Sequence, residues 1–270
     1  MSLDAQGYRE AFHREAAALA IAARCDLQAP IPPCPGWNMP MLLSHLASIY
    51  ASRIALVRRD ARENVIRSYE DLDLPPRFKE WFVAQGETDS AEHMPDVPPG
   101  LLELFEETAA RLEDVLWAVA PEAPVWTWWP PDQTAGFWQR RMAQETAVHR
   151  WDAEVAVGEP VPIEAALARD GIDEALDIML PSSRGRNAAF RRGAGETYHF
   201  HCTDGPGEWL VRFDGDAATV THEHAKGDIA VRGTASDLLL FLWGRIPGER
   251  LEVFGDSALL ERYFELVPTG

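Results

Sequence analysis

Glu145 and His149 stand four residues apart in Gln144-Glu145-Thr146-Ala147-Val148-His149-Arg150-Trp151-Asp152. On a helix, positions four apart share one face, one turn above the other, and Asp152 falls near the same stripe. A carboxylate and an imidazole held this way offer two ligands to a divalent metal. The spacing by itself is unspecific. In a chain with 8 histidines and 43 acidic residues, chance alone gives roughly one acid-x-x-x-His pair. Asp89 and His93 make another, in a stretch that reads as loop. What sets the first pair apart is a long amphipathic helix around it and a third candidate ligand, His45, far upstream.

His45 follows Met41-Leu42-Leu43-Ser44 and precedes Leu46 and Ala47, on or beside an apolar helical stripe. The commoner role for a lone histidine there is a core residue bonded to a backbone carbonyl. Either way the buried ring needs a partner, because leaving it unpaired costs roughly 1–3 kcal/mol. If the helices carrying His45 and His149 face one another across a bundle, three ligands meet, and bundle metal sites are built in this manner. Two histidines and one glutamate with an open position are also a ligand set of catalytic zinc.

The elements that must position these residues read as follows. Tyr8 to Cys25 has apolar residues at the helical period and stops at the proline cluster Pro30 to Pro35. Asn38 caps a second helix, Met39 to Arg59, with Pro40 in its first turn. A short helix fits Arg77 to Gln85, a longer one Pro98 to Ala120, and the motif-bearing helix runs from Phe137 to Val157. Four long helices predict an up-down bundle over residues 1–158. From 159 to 270 the pattern changes to α+β. A helix spans Ala165 to Met179 and a basic loop follows over Ser183 to Arg192. Strands fit Glu196 to Cys202, Glu208 to Phe213, Ala217 to His224 and Asp228 to Arg232, with Asp-Gly and Lys-Gly turns between them. Thr234 caps a helix through Leu242, and a strand at Leu251 to Phe254 and a helix at Asp256 to Leu266 finish an antiparallel α+β domain.

Composition narrows the function classes. A chain of 270 residues that is 46% hydrophobic fills a full core, with length for two modest domains. Its net charge of −18 has no basic patch, which argues against nucleic acid and against an anionic membrane surface. The first residues lack an export signal, and no apolar run approaches the ~20 residues that span a bilayer. Cys25, Cys34 and Cys202 form no C-x-x-C pair and no even framework. A cytoplasmic protein with reduced thiols is expected.

Pro33-Cys34-Pro35-Gly36-Trp37, then His45, then Glu145-x-x-x-His149-Arg150-Trp151-Asp152, resembles the mycothiol-dependent maleylpyruvate isomerase family, whose amino-terminal domain is a DinB-like helical bundle. Val231 to Leu238, Trp243-Gly244-Arg245 and Gly255-Asp256 resemble that family's carboxy-terminal domain, which is α+β and loosely sterol-carrier-like. The likeness covers essentially the whole chain. It implies zinc held by His45, Glu145 and His149, and mycothiol as a low-molecular-weight thiol cosubstrate. It also implies a reaction in which a thiolate adds to a conjugated double bond, rotation follows, and the thiol leaves. Permanent transfer of the thiol to an electrophile is a related outcome, so the reading covers an isomerase or an S-transferase acting on an unsaturated acid or other small electrophile.

Asp152 is a candidate catalytic residue, bonded to a ligand histidine to orient the ring, or else a solvated or capping carboxylate near the helix end. The resemblance implies an arginine of the carboxy-terminal domain in the active site. Arg245 is the candidate, holding a substrate carboxylate or cosubstrate, with Arg232 as its rival; helix-terminal pairing with the macrodipole is the other role open to Arg245. Cys34 either lines the pocket or is a buried structural thiol. His199 with His201, and His222 with His224, share strand faces, and adjacent strands can bring them together as a second metal site; scattered surface histidines are the commoner outcome. Trp126, Trp128, Trp129 and Trp138 either pack the core or wall an apolar pocket. Two other functions use the same residues: a metal-dependent hydrolase, and a non-catalytic protein holding a structural metal and an apolar ligand. Thiol dependence separates the first from the leading reading, and an open coordination position separates the second.

Overall fold

The structure, a computed structural model, describes residues 3–86, 91–186 and 191–267. Asp89 of the second acid–histidine pair lies outside the described residues. The chain divides into two compact units between Val161 and Pro162.

The amino-terminal unit is helical. Helix α1 (Ala5–Cys25) starts at Asp4, whose carboxylate accepts from the Gly7 amide, and ends before the proline-rich stretch. Helix α2 (Met39–Arg58) starts where the Asn38 side chain accepts from the Met41 amide, with Pro40 in the first turn, where its missing N–H is not needed. After the short α3 (Pro76–Gly86) comes α4 (Leu101–Leu116), trimmed at its start by Gly100 in a left-handed conformation, φ 88°. Helix α5 (Ala135–Val157) is capped by Thr134 and stops at Gly158. Helix α1 lies against α5 and α4, and α2 against α4 and α5. The consecutive helices α1 and α2 are therefore diagonal neighbours, not the side-by-side pair of a simple up-down order. The long connection between them, pinned by a bridge between Pro30 and Asn38, is what lets the chain cross. Phe12, Leu19, Tyr50, Phe105, Leu112 and Trp138 fill the core.

Two helices depart from simple patterning. Helix α2 is long and apolar enough to cross a membrane, which a search for uninterrupted apolar runs misses, yet 67% of its most apolar window is buried inside the protein. Helix α5 is buried on nearly every side and carries Gln139, Arg141, Gln144, Thr146, His149, Arg150 and Asp152 into the interior. Buried polar residues at this density need partners, and they mark the helix as the carrier of function.

The carboxy-terminal unit begins with α6 (Ala165–Glu174), which passes through a π-turn (Ala175–Met179) into α7 (Leu180–Arg186). The sequence reading ends this helix at Met179, before Pro181. The wider π-turn removes the backbone bond that proline cannot donate, so the helix continues through part of the expected basic loop; residues 187–190 of that loop lie outside the described residues. Strands β1 (Gly193–Cys202), β2 (Glu208–Gly215), β3 (Ala217–Thr221), β4 (Ile229–Gly233) and β5 (Glu252–Gly255) form one sheet in the order β3-β2-β1-β4-β5. Tyr198, Phe200, Val211, Phe213 and Val231 face α8 (Ala235–Leu242) and α9 (Ala258–Leu266), with Tyr263 against three of their rings.

The sheet is mixed, not antiparallel throughout. Strand β4 pairs parallel with β1, Tyr198 opposite Ile229, while the other three pairings are antiparallel. The cause is the segment after β3. Pairing stops at Thr221, short of the expected His224, and residues 222–228 cross the sheet to start β4 beside β1. Gly227 runs so tightly against β1 that a Cβ there would meet the Thr197 carbonyl and the His199 amide at 3.0 Å.

Candidate metal centre

Glu145 and His149 occupy successive turns of α5, and α2 brings His45 to them. His45 Nε2 lies 3.0 Å from Glu145 Oε1, and His149 Nε2 lies 3.5 Å from the same oxygen. The two imidazoles meet edge to face, 5.0 Å between ring centres. One donor atom from each of the three residues lies within 4.8 Å of the others. Five residues beyond His45 on α2 and one beyond Glu145 on α5, the Tyr50 hydroxyl and Thr146 Oγ1 bond at 2.6 Å and fix the mutual register of the helices.

Two of the three ligand candidates are held from behind. Asp152 is fully buried, and its Oδ2 lies 2.9 Å from His149 Nδ1. That pairing places a proton on Nδ1 and points Nε2 toward Glu145. Asp152 is thus neither solvated nor a cap. Arg141, one turn before Glu145, bonds its other oxygen, Oε2. Sequence reading missed Arg141, although its position four residues before Glu145 on the same stripe was the available signal.

The charges follow from these contacts. Burial pushes the Glu145 carboxyl up, but the Arg141 guanidinium and the hydrogen bonds with His149 and His45 outweigh it and hold Glu145 well below the usual carboxylate range. Burial also disfavours charge on His149, and there the hydrogen bonds to Asp152 and Glu145 win, raising its pKa to about 9. For His45 burial prevails over the bond to Glu145 and lowers the pKa.

A tight loop completes the wall. Ile31 N donates to the Trp37 carbonyl at 2.9 Å and Trp37 N to the Cys34 carbonyl at 2.9 Å, which closes the proline segment on itself. Trp37 stacks on His149 with 15° between planes and meets His45 edge-on, 5.1 Å between centres. Cys34 is half-buried, not a core thiol, and its Sγ donates to Asp152 Oδ2 at 3.5 Å. One turn along α2 from His45, a cleft of about 610 Å³ is lined by Ser48, Ile49, Ser52 and Arg53, with Ile66 and Leu72 opposite. The Arg53 guanidinium lies 3.9 Å over the Trp138 ring, and burial brings its pKa down to about 10.

Residues 8–154 match the mycothiol maleylpyruvate isomerase N-terminal domain, and residues 166–262 match the C-terminal domain of the same proteins. The chain belongs to this family. A crystal structure of a mycothiol-dependent maleylpyruvate isomerase superimposes with a TM-score of 0.58 at 15% identity, covering 93% of each chain. A mutant of that enzyme gives 0.60 at 14% identity with the same coverage. At such identities the likeness establishes the shared two-domain α+β fold. None of the curated proteins matches the chain in sequence.

The other family positions sit as follows. Gly244, at φ 67°, ends α8, and the Arg245 amide reaches back to the Leu240 carbonyl while Gly244 bonds Phe241. This closing turn orients Arg245, whose Nη1 donates to the Trp243 carbonyl at 2.9 Å. Arg232 pairs instead with Glu252 on β5 at 3.3 Å and lies over Phe254. Trp138 is a core residue that donates to the Trp126 carbonyl; Trp126, Trp128 and Trp129 are half-buried around it. Of the four sheet histidines, three gather at Glu208, and His222 departs to Asp173 and Asp177, 3.5 Å from each.

Proposed function

We propose that the amino-terminal unit holds one zinc ion through His45, Glu145 and His149. A position is left open for mycothiol, and the chain is a thiol-dependent enzyme, an isomerase of the maleylpyruvate cis–trans type or an S-transferase. The observation that carries this reading is the approach of two imidazole Nε2 atoms to one carboxylate oxygen, in a chain of this family. Three borderline donors of this type suit zinc and supply one ligand fewer than its usual four. A divalent metal held there supplies a thiol kept deprotonated at neutral pH.

The protein's own residues do the rest. Asp152 positions His149 in the tautomer that presents Nε2. Arg141 keeps Glu145 ionised and aimed. Trp37 walls one side of the two imidazoles, and the neighbouring cleft gives room for a small electrophile or unsaturated acid. In this reading Arg245 holds a substrate carboxylate with its planar fork, which a chain of net charge −18 requires if a dianion is to bind.

Turnover of an unsaturated dicarboxylate by the zinc-loaded protein is expected only when mycothiol is added. Turnover without any thiol would replace this reading with the hydrolase or hydratase alternative. Arg245→Lys should lower turnover by about tenfold or more, because a lysine keeps the charge and loses the two-pronged contact. An unchanged rate in that variant removes the carboxylate role from Arg245.

A further inference from the structure

The polar face of the sheet carries a second set of donors. His199 and His201 alternate with the buried Tyr198, Phe200 and Cys202, so both point away from the core. Glu208 lies directly across from His201 in the β1–β2 register. The crossover segment 222–228 brings His224 over the same face. Its fastening at the far end is strong: Thr197 N and Oγ1 both bond Asp228 Oδ2, and Asp228 N returns to Thr197.

Three imidazoles surround the one carboxylate. His201 Nδ1 lies 2.9 Å from Glu208 Oε1, His224 Nδ1 lies 2.7 Å from Oε2, and His199 Nε2 lies 3.6 Å from Oε2. A donor atom from each of the four residues lies within 4.8 Å of the rest. Close contacts to the carboxylate account for His201 and His224, whereas His199 stands beyond hydrogen-bond distance of it. That residue is 6% exposed, and its Nε2 is buried with no hydrogen-bond partner. Native proteins rarely leave such a nitrogen unsatisfied, and this one is aimed at the carboxylate.

We propose that His199, His201, Glu208 and His224 form a second zinc-class site, a structural one, that fastens the β3–β4 crossover to the sheet. Three neutral imidazole nitrogens and one carboxylate oxygen are borderline donors that suit zinc or its divalent neighbours better than calcium or magnesium. Four protein ligands close the coordination shell, in contrast to the three at the bundle site, so this ion does no chemistry. Binding needs the donors to close from their present separations around a central ion at about 2.0–2.2 Å from each. His224 is exposed and sits on the crossover, which gives it room to move inward. The ion would use the lone pair that His199 presents without a partner.

The test is metal counting on the full chain, stripped with chelator, reloaded with zinc and desalted. Two equivalents are expected for the native protein, one for His149→Ala and one for His201→Ala/His224→Ala. In cobalt, His149→Ala should show the strong visible absorption of a tetrahedral ion, and Glu208→Gln in that background should lose it. Glu208→Gln is isosteric and serves if the double variant folds poorly. A native protein that takes one equivalent, which His149→Ala abolishes, overturns the second site. One equivalent that survives His149→Ala and disappears with His201→Ala/His224→Ala sustains it and overturns the bundle site instead.

Discussion

His149→Ala is expected to remove one bound zinc per chain and to lower thiol-dependent turnover by more than about a hundredfold, beyond what losing a contact behind a ligand does. His149 is held on both sides, by Asp152 through Nδ1 and facing Glu145 through Nε2. The helix should survive, since apolar packing supplies most helix stability, and far-ultraviolet circular dichroism checks that. His45→Ala, at a half-buried position, is the gentler companion and should lose the same ion. Acidity should act on the site in the same direction. A protonated His149 offers no lone pair, and its pKa in the metal-free protein is raised to about 9. Zinc uptake below that pH must expel a proton, so affinity should fall about tenfold per pH unit on going down from pH 9. Competition with a chromogenic chelator between pH 6.5 and 8.5 reads the slope. Full metal content in His149→Ala, or a flat affinity across that window, contradicts this account of the site.

Glu15→Ala is expected to destabilise the bundle by about 3 kcal/mol, a large loss for a single change outside the metal centre. Arg150 Nε donates to Glu15 Oε2 at 2.6 Å, with both residues almost fully buried, so α1 and α5 are joined by an ion pair that water does not screen. Removing the carboxylate strands a guanidinium in the interior, with Glu154 as its remaining acidic partner. Replacing both partners with apolar residues should recover much of the loss, because the penalty lies in the uncompensated charge and not in the absence of a bond. Urea denaturation monitored on the amino-terminal unit measures both effects. A loss below 1 kcal/mol for Glu15→Ala would mean that the pair is bridged to solvent.

Much of this was legible in the sequence where the information is local. The Asn38 cap, the spacing of Glu145 and His149, and the alternation that puts His199 and His201 on one face are each decided by a few neighbouring residues. What escaped depends on where the chain goes between elements. Turn signals at Asp204-Gly205 and Lys226-Gly227 say that the chain bends, not which strand it joins next. The parallel β1–β4 pairing, and with it the meeting of His224 with Glu208, was therefore out of reach. The helix through Pro181 was hidden for a different reason: a breaker was read as a stop, and the π-turn before it absorbs the break. Arg141 was overlooked because a basic residue on a helix is ordinarily solvated, and its spacing from Glu145 gains weight only with its burial.

Trp37 gives the molecule an optical property. Its indole lies within 5.1 Å of one imidazole centre and 6.1 Å of the other. An imidazolium at that range accepts an electron from an excited indole, and the indole's emission dims. Exchange of the proton on His149 for a bound ion therefore changes the brightness of one tryptophan among ten. The proline loop that holds Trp37 in place makes the site a fluorophore with its own quencher built in.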